Sequence, residues 1–193
     1  MHYWKNSVDM RVGLATRVFY RCRSEQSGLT VSAVNLKSYI SGYVDGEGCF
    51  CVSFHPSVRH RFGWEVRPSF SVSQNFDRSQ VLYLIQKVWN CGFIRPDRSD
   101  KTLKYEVRSM HALVTTVVPH FREFPLMSAK QSDFERFAGV CEAVREGKHL
   151  VREGFEQIIR LSMEMNPSGK RKYTSREIIN SLPRGLRDNQ RVM

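Results

Sequence analysis

The stretch LKSYISGYVDGEG, residues 36–48, decides how this chain is read. It opens as a short helical pattern with two small residues, Ser41 and Gly42, on one turn. It then stops in an acid and glycine cluster, Asp45-Gly46-Glu47-Gly48. A helix that stops this way holds carboxylates beside exposed backbone. Hard divalent cations take carboxylate and carbonyl oxygens, and glycine lets backbone come close to a ligand. The same residues also serve as an ordinary helix stop, so on local chemistry alone both readings stay open.

Immediately downstream, two stretches alternate with the period of half-buried strands. Phe50, Val52 and Phe54 face one way, with Cys51, Ser53 and His55 opposite. In the second stretch Trp64, Val66, Phe70 and Val72 are the apolar set with Pro68 in register, against Glu65, Arg67, Ser69, Ser71 and Ser73. Between the stretches, residues 57–63 (SVRHRFG) form a turn-like tip carrying Arg59, His60 and Arg61. A ribbon with a polar face and cationic tip suits the DNA major groove, where Arg, Ser and Gln read base edges. Antiparallel sheets also show water a polar face for no further reason.

Charge favours the first alternative. The 193 residues carry 30 Lys and Arg against 19 Asp and Glu, a net charge of +11, spread along the whole chain. A polyanionic partner is expected, and acidic or neutral partners are disfavoured. Charge does not separate DNA from RNA. With 41% hydrophobic residues the chain can bury one sizeable core. No apolar run approaches the roughly 20 residues of a membrane span, and no signal-peptide pattern opens the sequence, so an intracellular location is expected. The five cysteines, Cys22, Cys49, Cys51, Cys91 and Cys141, lack paired CxxC spacing. Reduced, mostly buried thiols are expected rather than zinc or a disulfide framework.

A second helix, strand, strand unit follows. Residues 77–89 are helical, with Asp77 at the cap and Asn90-Cys91-Gly92 as the stop. Residues 93–95 and 103–108 form a short hairpin with Arg95, Arg98, Lys101, Lys104 and Arg108 as a further basic set. Helices are expected over 110–118, 129–144 and 152–165, then a basic loop at 166–173 (NPSGKRKY) and a short capped helix from Ser175. Residues 1–34 read as a basic extension, 35–182 as one domain, and 183–193 as a loose tail.

In this order of elements, with Ile40-Ser-Gly-Tyr-Val-Asp-Gly-Glu-Gly48 as the matching motif, the chain resembles the LAGLIDADG homing endonucleases of the single-motif type. The likeness runs from about Leu36 to Val144. It implies an α+β fold of αββαββα order, with an antiparallel DNA-binding sheet and extra C-terminal helices. It also implies that motif helices from two units pack together with their acidic ends meeting over DNA. Ser41 and Gly42 match the small positions of that dimer interface. Asp45, at the same dimer interface, matches the acid that supports the helix end, and Glu47 the acid that holds the metal, with the Gly46 carbonyl as an extra ligand. Gln74, at the end of the second strand, matches a polar residue that orients the attacking water, and Arg78 the basic position after it. Lys130 matches a lysine near the start of the helix after the second hairpin, although another register puts Ser128 there.

Phe137-Ala-Gly-Val-Cys-Glu-Ala143 is superficially similar to the motif, but Val144 and Arg145 stand where acid and glycine should be. It reads as a core helix. One motif per chain then implies a homodimer that cuts a long, pseudo-palindromic double-stranded DNA target with Mg²⁺. The residues expected on DNA are Ser53, His55, Arg59, Arg61, Arg67, Ser69, Ser71, Arg95 and Arg98. The role implied is an intron-encoded nuclease in a bacterial cytoplasm or an organelle. Two other classes remain: a maturase that binds intron RNA, and a DNA-binding regulator that does not cut.

Overall fold

A computed structural model of the chain describes residues 17–18, 34–97, 101–167 and 169–183. Most of the 1–34 extension, Arg98 and nearly all of the tail from 183 lie outside the described residues. A two-residue strand, β1 (Arg17–Val18), pairs antiparallel with β2 (Val34–Asn35), which leads into α1 (Leu36–Glu47). The hairpin β3 (Gly48–Pro56) and β4 (Trp64–Asn75) follows, then a 3-10 turn (Phe76–Arg78) and α2 (Gln80–Trp89). The second hairpin is β5 (Phe93–Pro96) and β6 (Thr102–Val107). The αββαββα order is therefore the one observed.

The four long strands form one antiparallel sheet in the order β3-β4-β6-β5. Phe50, Phe70, Val72, Tyr105 and Val107 are buried on one face, as the alternation predicts. Phe50 is the centre of this packing: its ring lies 5.3 to 5.5 Å from those of Phe70, Phe121, Phe134 and Phe137. Such tilted and edge-on pairs add to the burial of each ring, which contributes about 1.5–3 kcal/mol. β6 pairs with β4 only from Phe70 to Asn75. The remainder of the β3-β4 hairpin therefore projects as a two-stranded arm. Pro68, which cannot donate a ladder bond, lies in that arm.

Beside α1 and α2, the apolar face is covered by α3 (Met110–Ala112), α4 (Val118–Glu123), α5 (Lys130–Arg145), α6 (Arg152–Met163) and α7 (Ser175–Asn180). Phe137, Ala138, Val140, Cys141 and Ala143 are buried, so the motif-like segment of α5 is core.

Three expectations need correction. The first helix after the hairpin starts at Gln80, and Asp77 sits in the 3-10 turn ahead of it rather than at its cap. The helix expected to end at Val118 runs on to Glu123 through a π-turn at Leu113–Val117. Pro119 lacks the N–H for an ordinary turn and its ring crowds the carbonyl four residues back, which a widened turn relieves. Of the four described cysteines only Cys141 is buried; Cys49 is exposed, and Cys51 and Cys91 are partly so.

Candidate functional site

The motif helix is held at both ends. Asn35 caps its start, its side-chain oxygen accepting from the N–H groups of Lys37 (3.1 Å) and Ser38 (3.2 Å). Ile40 and Val44 are fully buried. At the far end Gly48 is required by close approach, because a Cβ there would stand 2.4 Å from Val44 Cγ1 and 2.8 Å from the Val44 carbonyl oxygen.

Ser41 faces into its own chain. Its hydroxyl donates to the Phe124 carbonyl at 2.7 Å and lies 3.3 Å from His120 Nε2, while Trp89 Nε1 donates to His120 Nδ1 at 3.2 Å. Nδ1 thus acts as acceptor, which puts the neutral ring's proton on Nε2, facing the Ser41 oxygen. Burial, helped by the nearby Lys37 charge, pulls the His120 pKa down to about 4. Between the ordinary value near 6.5 and about 4 the unfolded chain binds the proton and the folded one does not. Stability is therefore full above about pH 6.5 and falls as pH drops towards 4. Urea unfolding at pH 7 and pH 5 is expected to show this loss, and His120→Gln to flatten it. Equal slopes in both proteins would contradict the linkage.

The acid end brings together residues far apart in sequence. The Asp45 carboxylate accepts from the Met127 N–H (3.0 Å), the Ser128 N–H (3.0 Å) and the Ser128 hydroxyl. It pins the loop before α5, as a supporting acid would. Lys130 Nζ donates to the Val44 carbonyl at 3.0 Å and the Gly46 carbonyl at 3.2 Å. An ammonium suits a helix C-terminus, and here it offsets the unfavourable Glu47 carboxylate there. Glu47 itself is exposed, with no hydrogen bond or ion pair among the described residues. Gln74 Nε2 donates to the Tyr43 hydroxyl at 2.6 Å, one helical turn before Glu47, and burial raises the Tyr43 pKa. Arg78 stands on the exposed 3-10 turn, 3.9 Å from Asp77.

Two contacts bear on the motif's expected roles. Of the three residues expected at a dimer seam, Ser41 and Asp45 are engaged within their own chain, and Gly42 is left open. The Gly46 carbonyl, expected as an extra metal ligand, already faces the Lys130 ammonium.

The polar sheet face gathers the residues expected to meet DNA. Across the register Ser53 opposes Arg67, Cys51 opposes Ser69, Ser71 opposes Glu106, and Lys104 opposes both Ser73 and Arg95. A groove of about 700 Å³ is lined on this side by Ser53, His55, Arg67, Ser69, Glu106 and Arg108. Arg67 donates to Glu65 at 2.6 Å, and that contact holds the Glu65 carboxyl below its usual range. Glu106 is buried, receiving Arg95 at 3.1 Å and Arg108 at 2.9 Å. It holds two arginines in place at the groove wall. Arg59 is exposed on the hairpin tip, and Arg61 lies over the Phe62 ring at 5.8 Å.

Sequence reasoning missed Tyr43 and Glu106, and it named Ser128 only as an alternative to Lys130 rather than as the partner of Asp45. Tyr43 precedes Glu47 by one turn, so its side of the helix was legible, but its contact with Gln74 was not. Partial burial raises the thiol pKa of Cys51 on the polar face, which makes it a weak nucleophile.

Among the described residues no three His, Cys, Asp or Glu side chains gather to hold a metal. At the end of the motif helix, among the described residues, Glu47 is the open carboxylate. Mg²⁺ commonly takes one or two carboxylates with substrate phosphate oxygens and keeps several waters, so this hard donor fits a site completed by DNA and a second protomer.

Comparison with known proteins identifies the family and the fold. The family described as "LAGLIDADG endonuclease" matches residues 40–141, just over half of the chain. A Neurospora crassa protein, "Probable intron-encoded endonuclease 2", is 29% identical over 130 residues, covering 67% of this chain. The match spans only 29% of that relative's length. The crystal structure of "a homing endonuclease, I-TnaI" superposes with a TM-score of 0.66 at 30% identity, covering 75% of this chain and 94% of that one. The "Archaeal Intron-encoded Homing Endonuclease I-Vdi141I Complexed With DNA" superposes with a TM-score of 0.70 at 25% identity, covering 75% and 92%.

Proposed function

This chain belongs to the LAGLIDADG endonuclease family, and from that premise we propose that it is a site-specific, Mg²⁺-dependent endonuclease of double-stranded DNA. It acts as a homodimer on a long, pseudo-palindromic target, in an intron-homing system of an organelle or a bacterial cytoplasm. The observation that carries this reading is Glu47, open and unpartnered where the motif helix meets the polar sheet, with Lys130 fixed beside it.

In the reaction a water oxygen bonds to phosphorus, the ester P–O bond breaks, and the leaving oxygen takes up a proton. A bound Mg²⁺ ion would supply charge stabilisation at the phosphate and the leaving oxygen. Glu47 from each protomer provides the carboxylate that holds it. Gln74, oriented by Tyr43, hydrogen-bonds the attacking water. Lys130 supplies positive charge beside the phosphate, and Arg78 adds to it from the 3-10 turn.

Assembly follows from the glycines of α1. Among the described residues a Cβ at Gly42 or Gly46 would meet nothing within 4 Å, so none of them requires these glycines. Glycine within a helix costs about 1 kcal/mol relative to alanine. A second copy of α1 packed against this face accounts for both.

The test is selection from a randomised duplex library with Mg²⁺. One defined site, cut by the purified chain, is expected; capture of intron RNA with no duplex cut would overturn the proposal in favour of a maturase. At the selected site Arg67→Ala is expected to cost about 1–3 kcal/mol and to relax preference at one position. Equal losses on all sequences would instead make Arg67 a backbone contact.

A further inference from the structure

Beyond residue 141, where the family match ends, the chain returns to the outer edge of the sheet. Asn166, in the left-handed region at φ 45°, donates from Nδ2 to the Phe50 carbonyl of edge strand β3 at 2.7 Å. Its N–H donates to Asp133 at 3.2 Å. Arg171 donates to the carbonyls of Ser162 (2.6 Å) and Met165, closing the end of α6. Tyr173 stands edge-on to Trp64 at 4.9 Å.

These anchors hold the segment against β3. They leave Lys170 and Lys172 exposed, with no acidic partner among the described residues. Lys172 lies over the Tyr173 ring at 5.3 Å, which steers its ammonium without neutralising it. Between the segment and β3 runs a groove of about 620 Å³ lined by Cys49, Cys51, Asp133, Asn166, Lys170 and Arg171. It opens at Cys49, two residues past Glu47, and borders the polar face. Asp133, the acid in its lining, already accepts from Asn166.

We propose that residues 169–173 form a phosphate-binding wall, with Lys170 and Lys172 contacting the DNA backbone where it passes the outer edge of β3 beside the acid centre. This rests on the reading of the chain as a DNA-binding protein. Lysine is a compact charge with no fixed hydrogen-bonding plane, so these contacts add affinity and register but no base preference.

The test compares wild type with K170A/K172A and K170R/K172R on the selected duplex and a scrambled one, by anisotropy titration without Mg²⁺ at several salt concentrations. Two lost contacts, each contributing about 0.9 to the slope, reduce the dependence of log affinity on log salt by about 2. The wild-type advantage over K170A/K172A therefore shrinks by about tenfold between 50 and 200 mM salt. The loss is equal on both duplexes, K170R/K172R restores the slope, and thermal unfolding is unchanged. A steep wild-type slope that K170A/K172A leaves unaltered overturns this inference alone. Wild type that binds no duplex overturns it together with the proposed function.

Discussion

Glu47→Gln is expected to bind its target duplex as tightly as wild type and to cut it more slowly by on the order of 10³-fold. The amide keeps the size of the carboxylate and removes the charge that would hold a divalent cation. Because Glu47 is exposed and makes no internal hydrogen bond, the fold loses nothing. Removing an acid from a helix C-terminus is favourable by a few tenths of a kcal/mol, so thermal stability stays level or rises slightly. Cleavage and binding measured on the same selected site separate the two effects. Wild-type cleavage by the variant would sink the assignment of Glu47, and loss of binding would show that the residue positions DNA instead. Lys130 cannot give so clean an answer. It closes the carbonyl end of the same helix, so its removal disturbs structure and chemistry together.

Gly42→Leu is expected to separate the dimer while leaving the protomer folded. Nothing among the described residues lies within 4 Å of a Cβ at this position, and leucine is the better helix former by about 1 kcal/mol. Overpacking a close contact costs about 1–3 kcal/mol. A two-fold interface counts each substitution twice, which weakens association by between about 30-fold and 10⁴-fold. Sedimentation of wild type at twice the chain mass, and of the variant at the chain mass with unchanged helical circular dichroism, is the expected result. Cutting of the full site falls with it. A variant that stays dimeric would move the seam away from α1. Met127, 91% exposed on the loop that Asp45 pins, flanks the same open face beside Gly42 and belongs to the surface such a partner would cover.

Much of the fold was legible because its signals are local. The alternation in β3 and β4 assigned the buried and polar faces residue by residue, and the observed register keeps that assignment. Where local signals misled, a neighbour in space or a special residue had overridden them. The pattern suggested a helix ending at Val118, and a π-turn carries it on past Pro119 to Glu123. Small size marked both Ser41 and Gly42 for an interface, and only the packing showed that Ser41 also hydrogen-bonds to α4 and the turn after it.

The sequence by itself determined the order of elements, the two faces of the sheet, and the motif that ends in Glu47. Each of these depends on residues close together in the chain, whose spacing alone sets the side they face. Only the tertiary structure decided what surrounds the acid: Lys130 meets the end of α1 from 86 residues away, and Asn166 meets β3 from 116. Contacts of that reach depend on how the helices pack over the aromatic core, and no period in the sequence records them.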